Sequence, residues 1–198
     1  LTPRPDTETL VEAALAWAAL DRVDGGGAHG TVLDFGTGSG CLLLSLLAEW
    51  PDARGVGVDI SPQALAVAAG NARAAGLDGR ATFVLSDWGA ALGDARFDVI
   101  VANPPYIPDG DIDGLAPEVA RHEPRLALSG GADGLDAYRL LANETARRLH
   151  PGGAAFFELG IGQADAVAGL MAAAGLAPLG LREDLSGVVR CLAVRANY

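Results

Sequence analysis

The chain has 198 residues, half of them apolar and 20% charged, with 27 Gly and 11 Pro distributed along its length. That balance excludes intrinsic disorder and a collagen-like repeat, and the length suits a single domain burying roughly 70% of its unfolded surface. All 14 basic residues are Arg, set against 25 acidic residues, for a formal net charge of -11.

No basic run exceeds Arg147-Arg148, so the clustered cations that release counterions from a phosphate backbone are missing, and general nucleic-acid binding is not expected. The longest greasy run, Cys41 to Ala48, is far below the roughly 20 apolar residues of a membrane span, and no basic-then-apolar leader opens the chain. A cytoplasmic protein without membrane contact is the expectation. Cys41 and Cys191 form no C-x-x-C, and His29, His122 and His150 have no ligand spacing, so no metal is expected and both thiols read as small core hydrophobes.

In chain order, a helix pattern over Thr7 to Leu20 precedes a strand at Thr31 to Phe35. A helix over Cys41 to Trp50, a strand at Gly55 to Asp59, a helix over Pro62 to Ala75 and strands at Thr82 to Ser86 and Phe97 to Ala102 follow. Ser61-Pro62 reads as an N-cap with Pro at the first helical position, and Gly76 as a C-terminal stop. After the Pro- and Gly-rich stretch Asn103 to Asp136, too long for an ordinary connection and a candidate functional loop, come a helix over Ala137 to Leu149 and a strand at Gly153 to Leu159. A helix over Ala164 to Ala174, stopped by Gly175, leads to strands at Ala177 to Arg182 and Val188 to Val194. The β-α-β rhythm predicts an α/β fold, a mainly parallel sheet with helices on both faces. Only Glu183 to Gly187 joins the last two strands, so they are expected to form an antiparallel hairpin.

The chemistry gathers at the strand ends. The first strand runs into Gly36-Thr37-Gly38-Ser39-Gly40, where alternate glycines permit sharp turning and close backbone approach to a ligand at a helix N-terminus. The spacing G-x-G-x-G departs from the G-x-G-x-x-G of dinucleotide binders. Asp59, ending the second strand, suits either the two hydroxyls of a ribose or a turn before Ser61-Pro62. Asp87-Trp88 suits either adenine stacking or a Trp-packed turn. Asn103-Pro104-Pro105-Tyr106 ends the fourth strand. Two consecutive prolines remove two backbone donors, Asn103 adds an acceptor and a donor, and Tyr106 adds an aromatic wall. Such a pocket suits a planar NH2 group, held by the Asn103 oxygen and the Pro104 carbonyl.

With those residues the chain resembles the class I S-adenosylmethionine-dependent methyltransferases, and among them the HemK/PrmC group of protein-glutamine N5-methyltransferases. Arg4-Pro5-Asp6-Thr7-Glu8, His122 to Leu128, Gly130 to Asp136 with Tyr138-Arg139, and Glu158-Leu159-Gly160 with Gln163 extend the likeness over the whole chain. The resemblance implies a Rossmann-like fold of seven strands in order 3-2-1-4-5-7-6, with S-adenosyl-L-methionine as cofactor. It assigns Gly36, Thr37, Gly38, Ser39 and Gly40 to the methionine part, Asp59 to the ribose and Trp88 to the adenine. Asn103, Pro104, Pro105 and Tyr106 would hold the glutamine amide, with Asn103, Pro104 and Tyr106 catalytic and Asn103 also beside the cofactor.

The implied substrates are class I peptide chain release factors, at the Gln of their Gly-Gly-Gln. A large-subunit ribosomal protein and, more remotely, a nucleic-acid amine are the alternatives. The group's small N-terminal helical docking domain is expected to be absent, since the chain starts just before Arg4. Asn103→Asp is expected to be milder than Asn103→Ala, because related amino-methyltransferases use either residue. Arg125 and Arg139 are expected to pin the long loop through carboxylates such as Asp133 and Asp136.

Overall fold

The computed structural model describes residues 5–23, 30–115 and 124–196, with side chains from Glu8 onward in the first helix and up to Leu20. Helix α1 (Pro5–Val23) leads into strand β1 (Thr31–Phe35), α2 (Cys41–Glu49), β2 (Arg54–Asp59), α3 (Pro62–Ala74), β3 (Ala81–Leu85) and β4 (Phe97–Ala102). Two 3-10 turns, Ile112–Gly114 and Arg125–Ala127, interrupt the long connection before α4 (Asp136–Arg148), β5 (Leu149–Glu158), α5 (Ala164–Ala173), β6 (Leu176–Glu183) and β7 (Val189–Ala196).

The strands form one sheet in the order β3-β2-β1-β4-β5-β7-β6, and only β7 runs against the rest, pairing antiparallel with both β5 and β6. The five-residue connection could produce nothing else. Asp184 closes it by accepting the Ser186 and Val188 N–H groups on Oδ1 and the Arg190 guanidinium on Oδ2.

Successive strand side chains point to opposite faces, so the continuous apolar runs of the central strands supply two cores at once. Val32, Val99, Val101 and Phe156 join Leu10, Ala14, Leu43 and Leu46 under α1 and α2. Their neighbours Leu33, Ile100, Ala102 and Phe157 pack with Tyr138, Leu141 and Val167 under α4 and α5. Fully burying side chains of this size contributes about 1.5–3 kcal/mol each. Trp17 on α1 sits edge-on to Phe156, ring centres 6.0 Å apart, which fixes that helix over the sheet.

The helix stops fall where the glycines placed them: Gly76 and Gly175 have φ of +69° and +87°. The strand expected from Gly153 begins earlier, at Leu149, because Leu149 already pairs with Phe97 before the register shifts to Val99 opposite Ala154. His150 to Gly153 occupy that irregularity, and the Pro and Gly there hid the strand from a reading by pattern. The parallel strands all end on the same side, where β1 meets β4 and the strand order changes direction, the position at which open α/β sheets hold ligands.

Candidate active site

The loop after β1 turns through Gly36, Gly38 and Gly40 at φ of +66°, +55° and +80°, a left-handed path that side-chain-bearing residues rarely take. Gly36 and Gly38 line a cavity of about 500 Å³, and a Cβ added at Gly36 would meet no protein atom within 4 Å. Thr37, Ser39 and Gly40 stand behind that lining. The Thr37 hydroxyl donates to Asp34 Oδ2 at 2.6 Å, the Ser39 carbonyl accepts from Asn71 Nδ2 at 2.9 Å, and Gly40 starts α2 against Ala68. Burial pushes the Asp34 carboxyl up to about 7, against the smaller opposing effect of the Thr37 hydrogen bond.

Asp59 makes the turn that its sequence position allowed and also reaches the glycine loop. Its Oδ1 accepts the Ser61 N–H at 2.8 Å, a turn that sets up Ser61 as the cap of α3, while its Oδ2 accepts the Gly38 N–H at 2.9 Å. The carboxylate thereby ties the glycine loop to β2 and lines the cavity as well. Trp88 lines the same cavity in a strained backbone conformation, φ +46°, with its ring 6.3 Å from that of Phe35.

The strain at Trp88 is held by a residue that sequence reasoning missed. Arg148, only 1% exposed at the end of α4, donates Nη2 to the Gly89 carbonyl at 2.6 Å and Nη1 to the carbonyls of Gly93 and Ala95. Its Nε binds Glu144 at 2.8 Å. In sequence it reads only as half of the longest basic run. The signal available was its place one turn beyond Glu144 on a helix whose other face is apolar.

Asn103, Pro104, Pro105 and Tyr106 all line the cavity, opposite the glycine loop. The pairing of Ala102 with Phe157 brings Asn103 level with Glu158, the last residue of β5, and Asn103 Nδ2 donates to Glu158 Oε2 at 2.7 Å. The Tyr106 hydroxyl approaches Glu158 Oε1 at 3.4 Å, and buried Tyr138 donates to the Glu158 carbonyl at 2.7 Å. Glu158 was legible only as part of a matching tripeptide. A charged residue closing the apolar run Ala154 to Phe157 was the clue to a role.

Gln163 secures the same corner. Its Oε1 accepts the Gly160 N–H, and its Nε2 donates to the Tyr106 carbonyl at 2.9 Å and the Gly134 carbonyl at 3.3 Å. The described part of the long loop lines the cavity: Ile107 exchanges backbone hydrogen bonds with Leu128 and Gly130, and Pro124, Leu126 and Leu128 form a wall. Arg139 pins it through both oxygens of Asp133 and through Asp136. That pairing draws the Asp133 carboxyl down to about 2. Arg125 acts within the same loop through a different carboxylate, 3.5 Å from Asp113, with both partners exposed. Arg4, His29, His122 and Glu123 lie outside the described residues.

The cavity's electrostatics are one-sided. Asp59, Asp87, Asp136 and Glu158 line it, and among the described lining residues there is no Arg, Lys or His. Such a site favours a cationic or neutral ligand and repels phosphate. Among the described residues no cluster of His, Cys, Asp and Glu is disposed to hold a metal ion, and no helix is long and apolar enough to cross a membrane.

A glycine-rich strand-to-helix loop, an acid at the end of the next strand and a seven-stranded sheet with one reversed strand define the class I S-adenosylmethionine-dependent methyltransferase fold. Solved structures agree: the 16S rRNA N2 G1207 methyltransferase of T. thermophilus superposes with a TM-score of 0.68 at 24% identity, covering 99% of this chain and 44% of that one. A ribosomal protein L11 methylase from Lactobacillus delbrueckii subsp. bulgaricus gives 0.62 at 20% identity, over 91% of this chain and 77% of that one. The family model of the methyltransferase small domain matches residues 15–132, and the chain belongs to that family. Among curated proteins, the release factor glutamine methyltransferase of Rhodospirillum rubrum is 55% identical over 98% of this chain, and that of Cereibacter sphaeroides 50% identical over 98%. The chain spans 58% and 66% of the length of those two relatives.

Proposed function

We propose that this chain transfers the methyl group of S-adenosyl-L-methionine to the side-chain amide nitrogen, N5, of a protein glutamine, in the Gly-Gly-Gln of class I peptide chain release factors. The observation that carries the reading is a single cavity joining the glycine loop and Asp59 to Asn103-Pro104-Pro105-Tyr106, in a chain 55% identical to a named release factor glutamine methyltransferase.

The residues present fit the cofactor. Gly36 leaves its backbone open to the cavity, Asp59 keeps acceptor capacity beyond its two backbone bonds, and Trp88 offers an aromatic wall. A ligand carrying a sulfonium and an ammonium meets carboxylates rather than cations here. Bound there, it supplies a methyl group on positively charged sulfur.

The protein's task is then to make an amide nitrogen attack. That nitrogen is a poor nucleophile because its lone pair is delocalised into the carbonyl. Holding its two hydrogens on the Asn103 oxygen and the Pro104 carbonyl orients the lone pair and polarises the group, and such positioning supplies several kcal/mol of barrier reduction. Pro104 and Pro105 bring no N–H of their own to compete for those acceptors. As positive charge develops on nitrogen, acceptors already in place stabilise it without reorganising. The methylated nitrogen is acidic and releases its proton to solvent, so no strong base is required.

A nucleic-acid amine fits less well, because its phosphates would approach four lining carboxylates unopposed by any described lining cation. The test is to incubate the chain with a purified class I release factor and methyl-labelled cofactor, then map the product by peptide mass spectrometry. One added methyl on the Gly-Gly-Gln glutamine is expected. Label on another residue, or none, would refute the assignment.

A further inference from the structure

We propose that Glu158 is a positioning residue: it dictates which way the Asn103 carboxamide faces, so that an oxygen and not an NH2 group is offered to the acceptor amide. The inference rests on the amide-methylating reading of the site.

Glu158 is 1% exposed and still lines the cavity, and its Oε2 lies 2.7 Å from Asn103 Nδ2. A carboxamide can turn over about its last torsion and exchange oxygen for NH2 with little change in shape. A carboxylate has no such ambiguity, since it only accepts. With Glu158 as neighbour, Asn103 must direct its NH2 group toward β5, which turns its oxygen toward the other side of the carboxamide. Without that neighbour, a flipped Asn103 would set donor against donor when a substrate NH2 arrives. Glu158 is itself held from behind, by the Tyr138 hydroxyl on its carbonyl at 2.7 Å and by its register opposite Cys191, one residue beyond the Ala102–Phe157 pair.

On this proposal Asn103→Asp loses the mildness expected of it relative to Asn103→Ala. The substitution sets two carboxylates 2.7 Å apart in a buried corner, in place of a donor and an acceptor. A reciprocal exchange follows. In Asn103→Asp/Glu158→Gln the glutamine donates to the aspartate, the pair is restored with its polarity reversed, and the second aspartate oxygen still faces the substrate as an acceptor.

Four proteins decide it: the parent, Glu158→Gln, Asn103→Asp and the double variant. Each is assayed for kcat and KM on a purified release factor, for S-adenosylhomocysteine affinity by calorimetry, and for thermal midpoint. Glu158→Gln should lower kcat on the order of 10²-fold, the cost of a small misplacement, with cofactor-product affinity and midpoint close to the parent. Asn103→Asp should be worse, and the double variant should recover at least about tenfold over it, a rescue that loss of packing alone cannot produce. Parent-like kcat in Glu158→Gln, or a double variant no better than Asn103→Asp, overturns the positioning role while leaving the parent's methylation standing. A parent that methylates no glutamine overturns the functional reading and this inference with it.

Discussion

Each oxygen of the Asp59 carboxylate has one lone pair committed to a backbone N–H, at Gly38 and at Ser61, and a second directed elsewhere. Asp59→Ala therefore removes two loop contacts as well as any bond to a ribose. Cofactor affinity should fall by about 1.5–3 kcal/mol, as for charge-assisted hydrogen bonds, and calorimetry on the folded variant would read it. Unchanged affinity would make Asp59 a turn residue only. On the proposed function, in which the Asn103 oxygen holds the amide as charge develops, Asn103→Ala should instead lower kcat far more than it weakens cofactor binding, and steady-state kinetics beside a binding titration would separate the two. Asp34 gives the site's environment a pH signature. Its folded carboxyl titrates at about 7 against an ordinary 3.8, so between those values the native state holds a proton that the unfolded chain has lost. Its contribution is greatest below pH 4 and declines as pH rises toward 7, by up to about 1.4 kcal/mol per unit. Urea unfolding of parent and Asp34→Asn across that range should show the difference between them changing with pH. A constant difference would mean that burial does not shift this group.

At the scale of elements, the turn after β3 holds its shape through α4. Three carbonyls between Gly89 and Ala95 converge on the buried Arg148 guanidinium, and Trp88 enters that turn at a strained φ. Arg148→Met leaves those carbonyls without their donor and Glu144 with only Arg147, 3.5 Å away, and breaking a buried pair from one side typically costs about 3–5 kcal/mol. A lowered thermal midpoint is expected, together with weaker cofactor binding in the variant that remains folded. A variant as stable as the parent would show that the turn holds itself. At the neighbouring corner, a Cβ at Gly134 would collide with the Tyr106 carbonyl and lie 2.7 Å from Gln163 Nε2, so the long loop passes Tyr106 here because no side chain stands in the way. The helix stops and the hairpin could be read locally, since glycine conformation and connection length are local properties. The early start of β5 could not, because it depends on Phe97 being within reach.

Over the whole molecule, the two cysteines report on the fold. Cys191 in β7 is fully buried and its thiol is pushed up to about 12, chiefly by desolvation, whereas Cys41 at the start of α2 is part-exposed. A thiol reagent at pH 8 should modify one cysteine promptly and the second only at the rate of opening of the sheet, with peptide mapping to assign them. Rapid modification of both would contradict the antiparallel pairing of β7 between β5 and β6. The same sheet carries both cores, because period-two alternation along β1, β4 and β5 sends adjacent apolar residues to opposite layers.

The order of elements, the reversed last strand and the positions of the glycine loop, Asp59 and Asn103-Pro104-Pro105-Tyr106 were determined by the sequence alone. Each follows from torsional limits, hydrophobic period or connection length, which act over a few residues. The partners of those groups were decided only by tertiary structure. Asn103 meets Glu158 across 55 positions, and Arg148 reaches Gly89 across 59. Such encounters depend on strand order, register and the packing of α4 on the sheet, and no local pattern encodes them. That is why Asn103-Pro104-Pro105-Tyr106 could be picked out in the chain while its contact with Glu158 could not.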